Sequence, residues 1–363
     1  MYNLVFWTGS VNFHNIQTLD HFGKNNNVII AYHNRSFRDL TNVPVNNCSL
    51  VQLESKDDYI HLINQTAHYI HVNNAFKVHQ GHEIIQAALK ELVKRKYHLI
   101  SLFQEQFPSN GILGWLRRAK WFWIYHFGLG RTHKAIGYCG LNAYTSLKRA
   151  LVSTDLLHDF IYTPWYTKNL PPKMNKSITF IMVGQLVPRK AVIETINTFK
   201  SIHKNFIFKI IGDGVLKEPI KNLISDDPRF QYLGSLPPHA VQEQYNYSDI
   251  LILSSSFDGW GCSTNEAISQ GCKVIVSTAC GSHVLTNYIP NSGYTFRYGD
   301  WHSLRQIAIK VINNGPISIA EKKQIIKDAL VLKPEVEACY LKELLDFSFK
   351  KIQPKPIAPW SKK

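Results

Sequence analysis

The second half of the chain alternates short apolar runs, rich in β-branched residues, with amphipathic helical patterns, and this alternation limits the fold more than any other feature. Continuous apolar strands separated by helices are typical of a parallel sheet that is covered on both faces. We therefore expect a Rossmann-like domain over residues 177–350. Its predicted strands are 178–183, 206–211, 230–233, 250–254, 274–277 and 294–297, and its predicted helices are 192–203, 215–224, 240–247, 262–270, 301–313 and 336–350.

The first half repeats this alternation less regularly and predicts a second α/β domain over residues 1–160. A chain of 363 residues is longer than one hydrophobic core usually organises, which agrees with two domains. The predicted strands of this domain are 4–7, 28–32, 50–53, 69–73, 99–103 and 135–138, and its predicted helices are 15–22, 82–95, 113–125 and 141–150.

A linker at residues 161–176 separates the two predicted domains, because Pro164, Pro171 and Pro172 suit neither a helix nor a central strand. An irregular, proline-rich tail is expected at 351–363. The predicted architecture is α/β, with two Rossmann-like domains facing each other across a cleft and a hinge at 163–176. Open α/β folds bind ligands at the carboxyl ends of their strands, so we expect the chemistry there.

The charge of the chain favours an anionic partner, because 41 Lys and Arg against 26 Asp and Glu leave a net charge of +15. The stretch 106–154 contains no acidic residue, and its cations are interleaved with aromatic residues such as Trp115, Trp121 and Trp123. This mixture suits the boundary between water and lipid headgroups. We expect residues 115–131 to bind an anionic membrane surface, with a core helix that has a solvated basic face as the alternative. No RNA-binding or DNA-binding module accompanies the stretch, so no nucleic acid is expected.

Several classes of protein are excluded by composition. No run approaches the roughly 20 apolar residues that cross a bilayer, and residues 1–9 lack the basic leader of a secretory signal. We expect a cytoplasmic protein, peripheral on the inner face of the membrane. The six cysteines form no CxxC pair, which favours reduced thiols over a zinc site or a disulfide framework.

Two carboxylates follow the predicted strand 250–254. Asp258 lies in the loop, and Glu266 comes eight positions later in the predicted helix. Ionised carboxylates bind sugar hydroxyls well, because they accept two hydrogen bonds from a diol. Between them, Gly259, Trp260 and Gly261 form a segment whose glycines permit tight bends and whose helix start offers N–H groups to a phosphate. A capping aspartate beside a surface glutamate is the alternative interpretation.

Two cations follow the first predicted strand of the same domain, just before a helix. Arg189 and Lys190 lie in the segment that begins with Gly184 and Gln185. Cations at this edge can neutralise a phosphate leaving group, although solvated side chains in a turn would also explain them. Further glycines expected at the same site follow the next two strands, at Gly212, Gly214 and Gly234.

The order and spacing of these segments resemble the C-terminal domain of GT-B glycosyltransferases. More narrowly, they are similar to the retaining glycosyltransferase family 4, group 1. This resemblance implies transfer of a sugar from a nucleotide-sugar donor, with retention of configuration and without an obligatory metal. The matching segments are Gly184 to Lys190, Ile210 to Gly214, Tyr232 to Gly234, Ser248 to Ile250, Asp258 to Gly261 and Glu266 to Ile275.

The resemblance also implies roles for single residues. In that family the first acidic residue of an E-x7-E motif contacts the donor sugar and the second binds the ribose, which corresponds to Asp258 and Glu266. The lysine that holds the donor diphosphate corresponds to Lys190. The family's arginine position is Gln185 here, and we expect the neighbouring Arg189 to supply the missing charge. Aspartate in place of glutamate at 258 shortens the side chain by one methylene, which retunes the sugar specificity or weakens the donor site.

The first half resembles the family only loosely, as expected for an acceptor-binding domain. Glu105 follows the predicted strand 99–103 and is a candidate for acceptor contact or acid–base help, or else a solvated residue. His14, at the first turn between strand and helix, is the preferred histidine of the site, and His71 at a strand end is the next. No histidines and carboxylates have a convincing metal-ligand spacing, so no metal is expected.

These features predict a glycosyltransferase that acts on a saccharide or a lipid-linked saccharide. We expect it to serve the synthesis of a bacterial-type surface polysaccharide, such as lipopolysaccharide, capsule or exopolysaccharide. Two other functions stay open: a nucleotide-sugar epimerase of GT-B fold, and a degenerate, non-catalytic binding protein, which the departures at Asp258 and Gln185 favour. A phosphorylase would need a lysine site for pyridoxal phosphate, which the sequence does not reveal.

Overall fold

A computed structural model describes residues 1–11, 13–35, 45–74, 83–107, 111–164 and 170–361. The chain divides into two compact units. Unit 1 comprises Met1–Pro164 and Lys333–Lys363, and unit 2 comprises Trp165–Leu332. The C-terminal helix therefore belongs to unit 1, whereas the sequence pattern assigned it to the second domain.

Unit 1 is built on a parallel sheet with the strand order β3-β2-β1-β4-β5-β6-β7 among the described residues. From β1 the chain proceeds outward to β3 on one side, and from β4 it proceeds to β7 on the other. The order therefore reverses between β1 and β4. The strands are β1 (Asn3–Val11), β2 (Asn27–Arg35), β3 (Ser49–Gln52), β4 (Ile70–Asn73), β5 (Leu99–Gln104), β6 (His133–Tyr138) and β7 (Leu157–Asp159).

The helices of unit 1 bury apolar faces against this sheet. In the third helix the buried residues Ile85, Ala88, Leu89 and Leu92 recur at the spacing of one helical face. The second helix begins with a capping box, in which Ser55 and Asp58 exchange hydrogen bonds between side chain and backbone. The helices are α1 (Phe13–Gly23), α2 (Lys56–Gln65), α3 (Glu83–Lys94), α4 (Gly111–His126) and α5 (Gly140–Arg149).

Unit 2 is built on a second parallel sheet, with the order β10-β9-β8-β11-β12-β13 in the part of the chain that the structure describes. Its strands are β8 (Thr179–Val183), β9 (Ile207–Ile211), β10 (Phe230–Gly234), β11 (Ile250–Leu253), β12 (Lys273–Ser277) and β13 (Gly293–Phe296). Its helices are α6 (Val192–Lys200), α7 (Lys217–Ile224), α8 (Pro238–Asn246), α9 (Ser263–Ser269), α10 (Leu285–Tyr288), α11 (Trp301–Asn314) and α12 (Ile319–Asp328).

The core of unit 2 explains why its strands are continuously apolar. All four residues of β11 are buried, because helices cover both faces of the sheet. Phe180 of β8 packs edge to face against Phe199 of α6, with ring centroids 4.8 Å apart, and the same cluster includes Phe206 and Phe208. These contacts fix the helix against the sheet whose carboxyl edge carries the predicted site.

Every strand and helix predicted from the sequence overlaps an element of the same type, and the predicted α/β class is present in both units. The sequence pattern missed α2, β7, α10 and α12. Polar residues outnumber apolar ones in α2 and α12, α10 has only four residues, and β7 has only three, paired with β6 at the edge of the sheet. Short or polar elements give too little periodicity to be recognised.

The last helix, α13 (Pro334–Lys350), packs against α1 of unit 1. Its residue Glu337 is fully buried, and Oε2 of this carboxyl accepts hydrogen bonds from the hydroxyls of Thr18 at 2.5 Å and Thr163 at 2.8 Å. Further along the helix, the Tyr2 hydroxyl donates to Oδ1 of Asp346 at 2.5 Å. These contacts return the end of the chain to unit 1, which helical periodicity alone could not reveal.

Two further features bear on the sequence analysis: the apolar length of the helices and the state of the cysteines. Among the described residues, no helix combines the length and apolar composition that crossing a lipid bilayer requires. The cysteines of the described residues form no disulfide bond, and Cys139, Cys272 and Cys280 are buried.

Exchange of Glu337 for glutamine should remove a pH dependence from the stability of unit 1. Burial raises the pKa of Glu337 to about 8 in the folded chain, whereas a glutamate in an unfolded chain has a pKa of about 4.3. Between these values the folded chain keeps a proton that the unfolded chain has released. The free energy of unfolding should therefore fall as the pH rises from about 4 to about 8, by at most about 1.4 kcal/mol per pH unit. Urea unfolding across this range would measure the slope, which should be flatter in Glu337→Gln.

The matched control is Glu343→Gln, which changes an exposed carboxyl on the same helix. Its pH profile should follow that of the unchanged chain. Parallel profiles for all three proteins would contradict a neutral, buried Glu337.

Candidate functional site

The candidate site of unit 2 lies where the strand order of its sheet reverses. Strand β8 pairs with β9 on one side and with β11 on the other, so the loops after β8 and β11 leave the sheet in opposite directions. Parallel α/β sheets bind ligands in the crevice that such a reversal opens at the carboxyl ends of the strands. The loop after β8 carries Arg189 and Lys190, and the loop after β11 carries Asp258.

An ion pair joins these two loops. The Lys190 ammonium contacts Oδ2 of Asp258, and Nη1 of Arg189 lies 3.6 Å from the same oxygen. The side chains of Lys190 and Asp258 are only 15% and 14% exposed, whereas that of Arg189 is 46% exposed. One carboxylate therefore faces two cations, and the arginine keeps donors that can reach a further anion in solvent.

Backbone geometry fixes the position of both cations. Pro188–Lys190 form a single 3-10 turn, and Ala191 follows in a left-handed conformation with φ of 52° before α6 begins. The loop after β11 holds this turn, because Ser256 N–H donates to the Arg189 carbonyl at 2.8 Å and the Ser254 hydroxyl donates to the Lys190 carbonyl at 3.1 Å. The turn and the loop thus form one hydrogen-bonded layer above the sheet.

Glycine is required where the loops of β8 and β9 approach each other. Gly212 has φ of +142°, and a Cβ atom there would lie 1.8 Å from the Gly184 carbonyl oxygen. A Cβ atom on Gly214 would lie 2.5 Å from the Leu186 carbonyl oxygen. Gly234 accepts a hydrogen bond from Gly212 N–H at 2.8 Å and has open space around it. The close approach leaves a small depression whose lining includes Gly184, Gln185 and Lys190.

The segment after Asp258 is fixed in place by contacts of Trp260 and Gly261. Trp260 is buried, and its indole N–H donates to Oδ1 of Asn265 at 2.8 Å. Gly261 has a left-handed φ of +95°, which favours glycine, and a Cβ atom there would also lie 2.6 Å from Cδ2 of Leu253. The side chain of Trp260, which the sequence placed among the ligand-binding candidates, is thus packed inside the unit.

The loop after β12 also supports Asp258 and was not predicted to belong to the site. Gly281 N–H donates to the Asp258 carbonyl at 3.1 Å, and Ser282 N–H donates to the Trp260 carbonyl at 2.8 Å. A Cβ atom on Gly281 would lie 2.2 Å from the carbonyl oxygen of Gly259. The signal in the sequence was a Gly-Ser pair after the predicted strand 274–277, at the same sheet edge.

Glu266 lies in α9, half-buried. The Tyr245 hydroxyl donates to Oε2 of Glu266 at 3.1 Å, which restricts the carboxylate to one orientation. Tyr245 comes from α8, outside every motif in the sequence, so only the packing of α8 against α9 reveals its contact. In the loop after β12, burial raises the pKa of the Cys280 thiol to about 12, so that cysteine stays protonated and unreactive.

The other predicted residues are distributed as follows. Gln185 is exposed on the loop after β8, and Glu105 is half-buried just after β5 in unit 1. His14 lies in the first turn of α1, and its side chain lies outside the described part of the structure. His71 is fully buried in β4, where burial lowers its pKa to about 4 and the Trp7 indole N–H donates to its Nδ1 at 3.2 Å. The interpretation of His71 as a residue of the site is therefore wrong, because it is a neutral core histidine.

The side chains gathered at the site are suited to an anion and to hydroxyl groups. Arg189 and Lys190 can bind an anion, and carboxylates lie close by for hydroxyl groups. Within the described ranges, no group of three or more histidine, cysteine, aspartate or glutamate residues converges.

Comparison with known proteins identifies the class to which this arrangement belongs. Residues 167–329 match the family model of glycosyl transferases group 1. No curated protein sequence matches the chain significantly. The matched residues lie in unit 2, so the similarity to glycosyl transferases group 1 is carried by this unit, and it supports a glycosyltransferase.

Solved structures are similar over nearly the whole chain. The lipopolysaccharide outer core galactosyltransferase WaaB has a TM-score of 0.69 and 15% identity, with 96% of this chain and 100% of that chain covered. Anabaena Alr3699/HepE in complex with UDP has a TM-score of 0.70 and 13% identity, with 95% and 100% covered. A glycosyltransferase from Rickettsia africae has a TM-score of 0.71 and 12% identity, with 97% and 99% covered. At these identities the likeness shows the fold alone, and it confirms the predicted GT-B fold class.

Substitution of Gly212 by alanine should damage the site through its backbone. The new Cβ atom would meet the Gly184 carbonyl oxygen, so the loops after β8 and β9 must separate. We expect a loss of at least about 3 kcal/mol in the stability of unit 2, well above the roughly 1 kcal/mol of backbone strain alone. Thermal unfolding monitored by circular dichroism would measure it.

Gly234→Ala is the matched control, because Gly234 also has a positive φ, of +72°, but has no atom within 4 Å of a new Cβ. Its cost should be that of the strain alone. Equal losses for the two variants would contradict the close approach of Gly212 to Gly184.

Proposed function

We propose that the chain transfers a sugar from a nucleoside diphosphate sugar to a saccharide or lipid-linked saccharide, in the synthesis of a surface polysaccharide. The observation that carries this proposal is the convergence of Arg189, Lys190 and Asp258 at the strand reversal of a group 1 glycosyl transferase domain. The solved structures of HepE contain UDP and UDP-glucose, which supports a donor of this class. The name of WaaB, an outer core galactosyltransferase of lipopolysaccharide, supports the pathway.

The cations Arg189 and Lys190 suit the negative charge that develops in this reaction. Cleavage of the glycosidic bond builds negative charge on the leaving diphosphate, and fixed cations stabilise that charge without reorganisation. Lys190 is suited to this role because its partly buried ammonium is already positioned by Asp258. In the proposed reaction it holds the diphosphate as the bond to the anomeric carbon lengthens, and the acceptor hydroxyl attacks from the same face, so the configuration is retained.

The carboxylates divide the recognition of the donor between them. Asp258, positioned by its ion pair with Lys190, is proposed to bind hydroxyls of the donor sugar. Glu266, oriented by the Tyr245 hydroxyl, is proposed to accept hydrogen bonds from the ribose diol. The glycines Gly184, Gly212, Gly214, Gly234, Gly259 and Gly261 let backbone approach the nucleotide closely.

Arg189 is proposed to replace the arginine that the family carries at the position of Gln185. Both residues lie on the loop after β8 and both are exposed. The Arg189 guanidinium is already drawn toward the site, since it donates to the Phe257 carbonyl at 3.2 Å and lies near Asp258. A planar guanidinium can then bind phosphate oxygens in pairs.

The acceptor is proposed to bind to unit 1, where Glu105 and His14 are the candidate contacts. A metal-independent reaction is proposed, because the two cations supply the charge that a divalent ion would otherwise provide. The enzyme is proposed to work at the inner face of a membrane. The net charge of +15 supports that location, since anionic lipids attract basic proteins.

Mass spectrometry of products from a panel of nucleoside diphosphate sugars, with free and lipid-linked saccharides as acceptors, tests the proposal. We expect an acceptor extended by one sugar, formed in the presence of a chelator. Lys190→Met should lower kcat by about 10²–10³-fold, because the developing charge loses one fixed donor. Lys221→Met, which changes an exposed lysine of α7 in the same unit, is the control and should keep the rate.

Two results would reject the proposal in favour of the alternatives. Calorimetry that detects no heat with any donor would indicate a non-catalytic binding protein. Conversion of the donor sugar without an acceptor, beyond slow hydrolysis, would indicate an epimerase.

The role of Arg189 can be tested by moving its charge. Arg189→Ala should weaken the binding of a nucleoside diphosphate by about tenfold or more, because a charge-assisted hydrogen bond is lost. Gln185→Arg in that background should restore most of the affinity, as the charge returns to the family's position. Calorimetry with UDP would measure both. Gln185→Ala is the control and should bind as the unchanged chain does, whereas a double variant that stays weak would contradict the exchange of roles.

A further inference from the structure

Helix α4 of unit 1 has two apolar faces, which lie on opposite sides of the helix. One face is packed inside the unit: Gly114, Trp121 and Tyr125 are buried, and the Trp121 ring stacks on Phe107 with centroids 4.9 Å apart. This face explains how the helix is held in unit 1. It accounts for only part of the apolar side chains that the helix carries.

The opposite face is apolar and exposed to solvent. Ile112, Leu116, Trp123 and Phe127 are 84%, 52%, 62% and 59% exposed. Leu116, Trp123 and Phe127 each come two residues after one of the buried residues Gly114, Trp121 and Tyr125. Two residues correspond to a rotation of about 200° on a helix of 3.6 residues per turn. These four residues, called the outer stripe below, therefore lie directly opposite the packed face.

The members of the outer stripe form a connected surface. The rings of Trp123 and Phe127 lie 4.6 Å apart between centroids, and Phe127 N–H donates to the Trp123 carbonyl at 2.9 Å, which continues the helical bonding past the end of α4. Trp115 and Leu113 flank the stripe and are 60% and 65% exposed. Single exposed apolar residues are ordinary, but a continuous apolar surface marks a site of interaction.

Cations border this surface, and no acidic side chain does so from the same stretch of chain. Arg117 and Lys120 are exposed on α4, beside the outer stripe, and Arg131 and Lys134 are exposed on the segments that follow. Residues 106–154 contain no aspartate or glutamate. The partner must therefore combine an apolar interior with a negative surface.

We infer that the outer stripe of α4 inserts into the interface of an anionic lipid bilayer. A helix that carries tryptophan and leucine on its outer face, with arginine and lysine alongside, lies in the plane of the membrane at the boundary between headgroups and acyl chains. The packed face, fixed by Trp121 and Tyr125, keeps the helix on the protein and limits insertion to the depth of the outer side chains. Anionic headgroups complement Arg117 and Lys120.

Two other occupants fit the surface less well. A second copy of the chain, related by a twofold axis, would place Arg117 and Lys120 of one copy close to the same cations of the other. A single-stranded nucleic acid would stack on the aromatic rings but would leave Ile112 and Leu116 against polar backbone. A bilayer satisfies the aliphatic, aromatic and cationic groups together.

This inference deepens one part of the proposed function, the location at a membrane. Its test uses no donor or acceptor, so a failure would leave the proposed sugar transfer untouched, and a chain without transferase activity could still bind lipid.

The experiment is sedimentation of the full chain with vesicles of phosphatidylcholine alone or mixed equally with phosphatidylglycerol. We expect binding to the mixed vesicles that weakens as salt is raised. The triple variant Leu116→Ser, Trp123→Ser, Phe127→Ser should bind at least about tenfold more weakly, because three apolar side chains no longer leave water. The double variant Arg117→Ser, Lys120→Ser should bind about 30-fold more weakly at low salt.

The matched control is Met174→Ser, Ile352→Ser, Ile357→Ser, which removes three apolar side chains of similar exposure from segments outside α4. It should bind vesicles as the unchanged chain does. Circular dichroism checks that each variant is folded, which is expected because all the changed side chains are exposed.

Three outcomes would overturn the inference. One is that the unchanged chain does not bind the mixed vesicles. Another is that the outer-stripe variant binds as well as the control variant. The last is that size-exclusion chromatography shows a dimer that the outer-stripe variant dissociates, without vesicle binding, which would assign the surface to a second copy of the chain.

Discussion

The parallel pairing of β8 with β11 is the constraint on which the candidate site depends. Phe180 pairs with Ile250 and Ile181 with Leu251, so the two strands end at the same edge of the sheet. Because β9 lies on the far side of β8, the loops after β8 and β11 diverge and leave a crevice between them. The buried side chains of these strands fix the register, since a slip by one residue would turn every side chain to the other face.

The ion pair between Lys190 and Asp258 depends on this register, which places the loops after β8 and β11 at the same edge of the sheet. At 15% and 14% exposure the two groups are largely removed from water, and their attraction must offset a considerable loss of hydration. Such a pair contributes little net stability but holds both groups in place. A site in which the cations are positioned before the ligand arrives stabilises developing charge with little further reorganisation, which is the physical basis of the proposed transfer.

The sequence predicted the core elements of both sheets, and it named Arg189, Lys190 and Asp258, which the structure brings together, because each signal is local. An apolar run that ends in glycine or serine marks a buried strand and its carboxyl end, as after Val183 and Leu253. The sequence could not reveal that Tyr245 orients Glu266 from another helix, or that His71 is buried. It also placed α13 in the wrong unit, since Glu337 contacts Thr18, far away along the chain.

Helix α4 shows most clearly which properties the sequence predicts and which depend on tertiary packing. The sequence by itself determined that residues 106–154 are basic, aromatic and without acidic groups, and that a helix forms there, because charge and periodicity are properties of neighbouring residues. Only the tertiary structure decided that Trp121 packs inward while Trp123 faces solvent. A helix that is apolar on two sides offers the sheet two equivalent faces, and the choice between them depends on partners such as Phe107, which the folded unit brings together.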